Sequence, residues 1–192
     1  MPEPVDEFMG KIVAMAKINP DYRSLLKVIL DEERIYPEEH MVQVYKGWVL
    51  ANLGEYGEAE RAFNKAVELN PKSAWAYFRK GQMLREQGKY QEALDCLTKA
   101  VKIKPNRPDF WVEKGQVEDE LDMVSDSYAS YEAGIRLGDK SGWGWAGKSR
   151  ILTYLNRLEE ALDAIRVAIK LNPGEGEFRK FESLIIDKIA GY

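Results

Sequence analysis

The sequence predicts an all-α fold of about five stacked helix–turn–helix units, closed by a C-terminal capping helix. Three observations carry this: a 34-residue period, small residues recurring at fixed places within it, and prolines that end each period. Pro37, Pro71 and Pro105 stand 34 residues apart, and Pro173 follows at twice that interval, with Asp139 in the skipped position. Three of these prolines end similar segments, KAVELNP, KAVKIKP and VAIKLNP. Gly47, Gly81, Gly115 and Ser149 keep the same beat, as do Ala59, Ala93, Ser127 and Ala161, and Ala66, Ala100, Gly134 and Ala168. Large residues recur at Phe63, Leu97, Tyr131 and Ile165. Such a period marks a stacked array in which no unit buries its apolar face alone.

Taken in order, residues 6–39 fit the period weakly. Val13, Tyr22, Leu25, Ile29 and Pro37 occupy matching columns, but Pro20 stands where the turn glycine belongs and Glu32 where a small alanine belongs. This segment reads as a degenerate first repeat that caps the N-terminal end. Full repeats are expected at 40–73, 74–107, 108–141 and 142–175. Within each, small residues let two helices approach closely while large ones fill the space between them. Gly88 supplies a turn that needs positive φ, and Pro105 stops the helix before it. The third repeat departs from the pattern: Glu118 takes the column of Leu50, Leu84 and Leu152, while Gly134 and Asp139 replace alanine and proline. These departures predict a looser repeat with low hydrogen-exchange protection. Residues 176–190 place Phe178, Phe181, Ile185 and Ile189 at helical spacing, suited to cover the last repeat. The whole chain, 1–192, reads as a single domain.

The second full repeat, AWAYFRKGQMLREQGKYQEALDCLTKAVKIKP, resembles the tetratricopeptide repeat (TPR) family consensus at nearly every signature position. The resemblance is strong over about residues 40–175 and implies a right-handed α-α superhelix, a TPR solenoid. It further implies that the first helix of each hairpin lines a concave groove holding a peptide or helical segment of a partner protein. Carried over column by column, that groove would hold Val44, Trp48 and Asn52, then Trp75, Phe78, Gln82, Arg85 and Glu86. It continues with Asp109, Val112, Gln116, Asp119 and Glu120, then Trp143, Ala146, Arg150 and Tyr154. Trp48, Phe78, Arg85, Arg150 and Tyr154 are the leading contacts, because aromatic and arginine side chains most often anchor interfaces. The competing reading has Trp48 and Phe78 packing between neighbouring helices and Arg85 pairing with Asp119.

One subgroup of the family grips chaperone C-terminal carboxylate tails with lysine, arginine and asparagine side chains. The corresponding columns here hold Val44 and Trp48, Arg79, and Asp109 and Glu113, so such a tail is not the expected partner. The acidic third repeat (Asp109, Glu113, Glu118, Asp119, Glu120, Asp122) instead suggests a segment with one or two apolar anchors and a basic residue.

Composition narrows the function classes. With 192 residues, 45% hydrophobic, the chain can bury a sizeable core. Its 28 basic and 32 acidic residues leave a net charge of -4, which gives no electrostatic ground for binding nucleic acid or an anionic membrane. Cys96 is the single cysteine and His40 the single histidine, so neither an intrachain disulfide nor a Cys/His zinc site can form. The N-terminus lacks the pattern of a signal peptide, and no stretch approaches the roughly 18 apolar residues of a membrane span. A cytoplasmic location is therefore expected.

One segment imitates chemistry. GWGWAGKS, residues 142–149, satisfies the phosphate-loop pattern. A true phosphate loop follows a buried strand and cradles phosphate with loop amides, whereas the repeat register puts these residues inside a helix. Leu184-Ile185-Ile186-Asp187, which resembles an apolar strand ending in a magnesium-binding Asp, falls in the terminal helix pattern. Cys96 reads as a packing residue, His40 as a capping or solvated one, and Glu118-Asp119-Glu120 as a solvated face. The sequence thus predicts a scaffold or adaptor, not an enzyme, with no cofactor. A homo-oligomer joined through its terminal helices is the alternative, and a nucleotide-binding enzyme a distant one.

Overall fold

The computed structural model describes Gly10, Ile12 and residues 21–191. Val13 and Pro20, which entered the reading of the first repeat, lie outside the described residues. Over residues 21–191 ten helices run in order: α1 (Tyr22–Ile35), α2 (His40–Asn52), α3 (Tyr56–Leu69), α4 (Ala74–Glu86), α5 (Tyr90–Ile103), α6 (Pro108–Glu120), α7 (Val124–Arg136), α8 (Trp143–Tyr154), α9 (Leu158–Leu171) and α10 (Gly176–Ala190). Among the described residues there is no strand, and the protein is an all-α repeat fold.

Residues holding the same place in the period do the same physical work. The reversals between paired helices turn on Gly54 (φ 79°), Gly88 (φ 73°), Asp122 (φ 57°) and Asn156 (φ 58°), spaced 34 apart and all left-handed. Glycine enters that region freely, and Asp and Asn are the side chains that tolerate it best. At the repeat ends, Asn70 Oδ1 accepts the Lys72 amide (3.0 Å) and Pro108 starts α6, where its missing N–H costs nothing.

The chain forms two compact units, residues 1–83 and 84–192. In the first, α1 packs on α2 and α2 on α3. Ile12, Leu25, Ile29, Val42 and Val49 form its main core, with a second cluster of Val44, Ala66 and Ala76. Between α1 and α2, Glu33 accepts hydrogen bonds from Gln43 (2.7 Å) and Lys46 (2.8 Å). On α4, Lys80 reaches back to Glu60 (3.0 Å) and Asn64 (2.8 Å) of α3.

In the second unit, α5 to α10 pack each on the next, and α6 also touches α8. Leu152, Ala161, Ala164, Ile165, Ala168, Phe178 and Ile185 form one core. Phe178 and Ile185 of α10 are fully covered in it, and Phe181 packs against its edge. Ile189, expected on the covered face, is instead exposed, together with Leu184 and Ile186. The capping helix therefore has one seated face, with exposed apolar side chains along its flanks and at its end.

The third repeat, expected to be loose, has a partner for each of its departures. Glu118 is only 2% exposed, and its carboxylate pairs with Lys114 and accepts a 2.5 Å hydrogen bond from Ser130 Oγ. It belongs to the interior, not to a solvated face. Gly134 lies where a Cβ would come within 2.7 Å of the Val112 side chain, so α6 and α7 approach more closely there than alanine permits. Asp139 accepts from the Ser141 amide (2.9 Å), the Ser141 hydroxyl (2.6 Å) and the Gly144 amide (2.9 Å), which ties down the entry to α8. These contacts argue against a looser repeat.

Candidate partner-binding faces

The side chains singled out from the sequence sit on α2, α4, α6 and α8, and the two units present them differently. In the first unit they are mostly used up in packing. Phe78 is 4% exposed and meets Trp75 edge to face at 5.6 Å. Trp48 meets Tyr22 at 5.9 Å and Tyr45 at 6.3 Å, both edge to face, and the Arg79 guanidinium lies over it at 5.4 Å. Arg79 also lies 5.9 Å from Trp75 and 5.7 Å from Phe78, and it donates to Gln82 (2.9 Å). Such edge-to-face and cation–π contacts hold the rings in fixed orientations. Asn52 is exposed but donates back to the Trp48 carbonyl (2.8 Å). This face is a rigid aromatic surface in which Trp48 and Trp75 stay partly accessible.

In the second unit, the charges of α6 are answered from within. Arg85 pairs with Glu113 (2.7 Å) and not with Asp119. Arg107 holds Asp109 through two hydrogen bonds of 2.9 and 2.6 Å. Asp119 pairs with Arg150 of α8. Glu120 remains exposed, and Gln116 is half-buried beside it. The acidic helix is thus largely neutralised by the protein's own cations, which removes most of the ground for expecting a basic partner residue.

The Asp119–Arg150 pair rests on a third group. Tyr131 of α7 is fully buried, and its hydroxyl lies 3.3 Å from Arg150 Nη2, which donates to it. Its ring passes between α6 and α8 because both helices carry glycine there. A Cβ on Gly115 would come within 2.9 Å of the ring, and one on Gly147 within 2.3 Å of it. Burial pushes the Asp119 carboxyl above its ordinary pKa, with Arg150 opposing and Glu120 and Asp122 adding to the rise. Burial likewise drives the Tyr131 phenol far up, so it stays a neutral hydroxyl. Burial works against the charge on Arg150, but Tyr131 and Asp119 outweigh it and its pKa is raised. One turn further along α8, Tyr154 is 75% exposed.

Trp143 sits at the other end of α8, with its ring edge to face on Phe178 of α10 at 5.0 Å. It anchors the capping helix. The register placed all of these residues on the first helices of the hairpins, but it could not show which would be consumed by packing. Sequence reasoning missed Tyr131 as part of this face. The signal available was that Tyr131 alone puts a hydroxyl in the column of Phe63, Leu97 and Ile165 while Gly147 stands in the column of Tyr45, Arg79 and Glu113.

The segment that imitates a phosphate loop is helical from Trp143 onward, preceded by Gly142 in a left-handed conformation (φ 84°). Lys148 is bound to Glu132 (2.5 Å) and lies over Trp145 and Tyr128 at 5.4 and 5.6 Å. Ser149 donates to the Ala161 carbonyl (2.6 Å). Backbone amides inside a helix are committed to its own axis, so this is not the amide cradle a phosphate requires. Among the described residues no group of three His, Cys, Asp or Glu could hold a metal, and no helix is long and apolar enough to cross a membrane.

A family model described as "Tetratricopeptide repeat" matches residues 45–108. Among solved structures, a thermophilic TPR protein of Thermus thermophilus, TTC0263, is similar with a TM-score of 0.74 at 17% identity, covering 91% of this chain and 95% of that one. YrrB, described as a TPR protein with an unusual peptide-binding site, gives 0.69 at 18% identity, covering 84% of each chain. The first TPR of Spaghetti (RPAP3), bound to the HSP90 peptide SRMEEVD, gives 0.58 at 23% identity, covering 62% of this chain and 94% of that one. At these identities the likeness is one of fold. No curated protein sequence matches the chain.

Proposed function

We propose that this chain, whose residues 45–108 match the tetratricopeptide repeat model and whose fold is like that of TPR structures, serves as a scaffold or adaptor, binding a peptide or helical segment of a partner protein on the faces of its first-of-pair helices. The observation that supports this most is the pair Arg150 and Tyr154. Both are large side chains on that face of α8, and 54% of the Arg150 side chain and 75% of Tyr154 remain exposed. Residues of these types at exposed positions anchor interfaces more often than others do. The neighbours described by their peptides, YrrB and Spaghetti, lend the same reading the weight of analogy.

A chaperone C-terminal tail is not the ligand we propose. Of the columns that would grip it, Val44 is buried, Arg79 is stacked among three rings, and Glu113 is paired with Arg85. We place the protein in the cytoplasm as a single non-enzymatic domain of repeats 40–73, 74–107, 108–141 and 142–175, preceded by the degenerate 6–39 and followed by the 176–190 cap. Affinity capture from the source cell's extract, comparing wild type with an Arg150→Glu, Tyr154→Ala variant, tests the reading. A protein held by wild type and lost by the variant is expected, and identical recovery by both would count against it.

Self-association has one observation in its favour: Leu184, Ile186 and Ile189 of α10 are each exposed, along the flanks and end of its seated face. Sedimentation of wild type against Leu184→Lys, Ile189→Lys decides it, since a homo-oligomer joined there would fall to monomer.

A further inference from the structure

We propose that His40 is a proton-sensitive latch in the first unit: as a neutral ring it ties the start of α2 to the turn between α3 and α4, and on protonation it releases that turn. This goes beyond the binding reading and does not rest on it. His40 is the chain's single histidine. Histidine is the side chain whose charge ordinarily changes between about pH 5 and 8.

The hydrogen bonds around the ring fix which nitrogen carries the proton. Asn70 caps the end of α3, and its Oδ1 accepts the Lys72 amide at 3.0 Å. A backbone N–H only donates, so the group that Asn70 turns the other way, 3.3 Å from His40 Nε2, is its NH2. That group also only donates, so Nε2 accepts and holds no proton. The ring proton therefore sits on Nδ1, which donates to Glu39 Oε1 at 3.1 Å. Glu39 in turn caps α2 by accepting the Met41 amide at 3.2 Å.

Protonation changes one side of this chain of bonds. Nδ1–H still faces the Glu39 carboxylate, so the ring stays seated on α2. Nε2–H then faces the Asn70 NH2, and two donors cannot share a hydrogen bond. Turning the Asn70 amide over would offer its oxygen to the ring but would set NH2 against the Lys72 N–H. Either way the turn loses one hydrogen bond. The Asn70 carbonyl also accepts the Ser73 amide (3.0 Å), and Ser73 Oγ accepts the Ala76 amide (3.4 Å), so the loss is passed to the start of α4. There Ala76 and Trp75 pack with Met41 on the cluster of Val44 and Ala66. Of the charged groups on the elements that meet here, Glu39 touches the ring. Glu38, Glu68 and Lys72 are exposed close by in the chain, and Glu33 of α1 is held by Lys46 and Gln43.

The pairing is particular to this repeat. The residues in the column of His40 in the later repeats are Ala74, Pro108 and Gly142, whose side chains form no hydrogen bond. Asn70 by itself is an ordinary cap. Asn172, in the same column, also ends a helix and accepts the Glu175 amide through its carbonyl, with Gly142 where the histidine would stand. Capping therefore accounts for the asparagine and leaves the histidine as an addition to it.

Two-bond proton–nitrogen correlation spectra of the whole chain, recorded from about pH 8 to about pH 5.5, test this. At the upper end the His40 ring proton is expected on Nδ1. As the ring gains its second proton, the Asn70 NH2 and Lys72 amide signals should shift with the same midpoint. Protection factors of the Lys72 and Ser73 amides, which remove the intrinsic pH dependence of exchange, should fall about two- to fivefold over the same range. His40→Ala should abolish that fall. Asn70→Asp should reverse it, because a carboxylate accepts from the imidazolium and from the Lys72 amide at once. A neutral ring that carries its proton on Nε2 would overturn the proposal. So would a His40→Ala protein that keeps the wild-type pH response at Lys72 and Ser73, or an Asn70→Asp protein that loosens in acid as wild type does.

Discussion

Replacing Gly147 by alanine sets two well-separated effects against each other. Gly147 lies inside α8, where alanine is intrinsically better by about 1 kcal/mol because it loses less backbone freedom on folding. Propensity alone therefore expects a more stable protein. The structure expects the reverse, because the new Cβ would come within 2.3 Å of the Tyr131 ring, which is fully buried and also closely approached by Gly115. Overpacking of this kind typically costs about 1–3 kcal/mol, and the upper part of that range applies where the neighbour is a rigid ring with no room to retreat. The net expectation is a loss of about 1–2 kcal/mol, obtained by setting the steric cost against the propensity gain. Urea unfolding followed by circular dichroism measures it, with Gly57→Ala as control, since nothing lies within 4 Å of a Cβ built there. The control should be unchanged or stabilised by up to about 1 kcal/mol. Tyr131→Leu in the Gly147→Ala background should recover much of the loss, because leucine is the residue at position 97 in the same column. A Gly147→Ala protein as stable as wild type would refute the account of how Tyr131 passes between α6 and α8.

Four further expectations follow from particular contacts. Lys114→Met leaves the Glu118 carboxylate buried without its cation and should cost about 3 kcal/mol in urea unfolding, while adding Glu118→Leu should restore most of it. Asp139→Ala removes the acceptor for the Ser141 and Gly144 amides and should cost about 1 kcal/mol by the same assay, with amide exchange accelerating first at the start of α8. Native-state hydrogen exchange should find α6 and α7 as protected as α8 and α9, and markedly faster exchange there would show that the compensating contacts are ineffective. Burial works against the charge on Glu33, but hydrogen bonds from Lys46 and Gln43 outweigh it and hold its pKa below the ordinary 4.5. Its contribution is therefore present above pH 4.5 and lost as pH falls through the lower folded value, so Glu33→Gln should be less stable than wild type at neutral pH and match it in acid.

The helices, their order and their turns were legible in the sequence because a repeat states the same information several times. Gly54 and Gly88 identify the turn column, and Asp122 and Asn156 then need only be residues that accept the same left-handed backbone. The paired state of the charges was not legible. Asp119 pairs with Arg150 on α8, 31 positions away, and Arg85 with Glu113, so the choice between Glu113 and Asp119 as the partner of Arg85 depends on helix rotation that spacing alone leaves open. Glu118 reads as part of a solvated acidic run because its partner Ser130 lies on the next helix and its other partner, Lys114, belongs to a column of lysines. That column, Lys46, Lys80, Lys114 and Lys148, repeats at the same 34-residue interval, and every member finds an acid: Glu33, Glu60, Glu118 and Glu132. The lysines recur with the period while their partners do not, which is why periodicity revealed one half of each pair and hid the other. In the candidate site, Phe78 and Trp143 carried the right residue types on the right helices, yet one is buried and the other seats the capping helix. Exposure is a property of the neighbours, and no single column contains it.

The central claim is that partner segments bind on the first-of-pair helices. Backbone amide shift mapping of the whole chain with a segment of a partner recovered by the affinity capture tests it most directly. The account predicts saturable perturbations concentrated on α6 and α8 and centred on Arg150 and Tyr154, with α7 and α9 responding only where they pack beneath those side chains. Perturbations centred on α10, or spread along α7 and α9 with α6 and α8 silent, would contradict it.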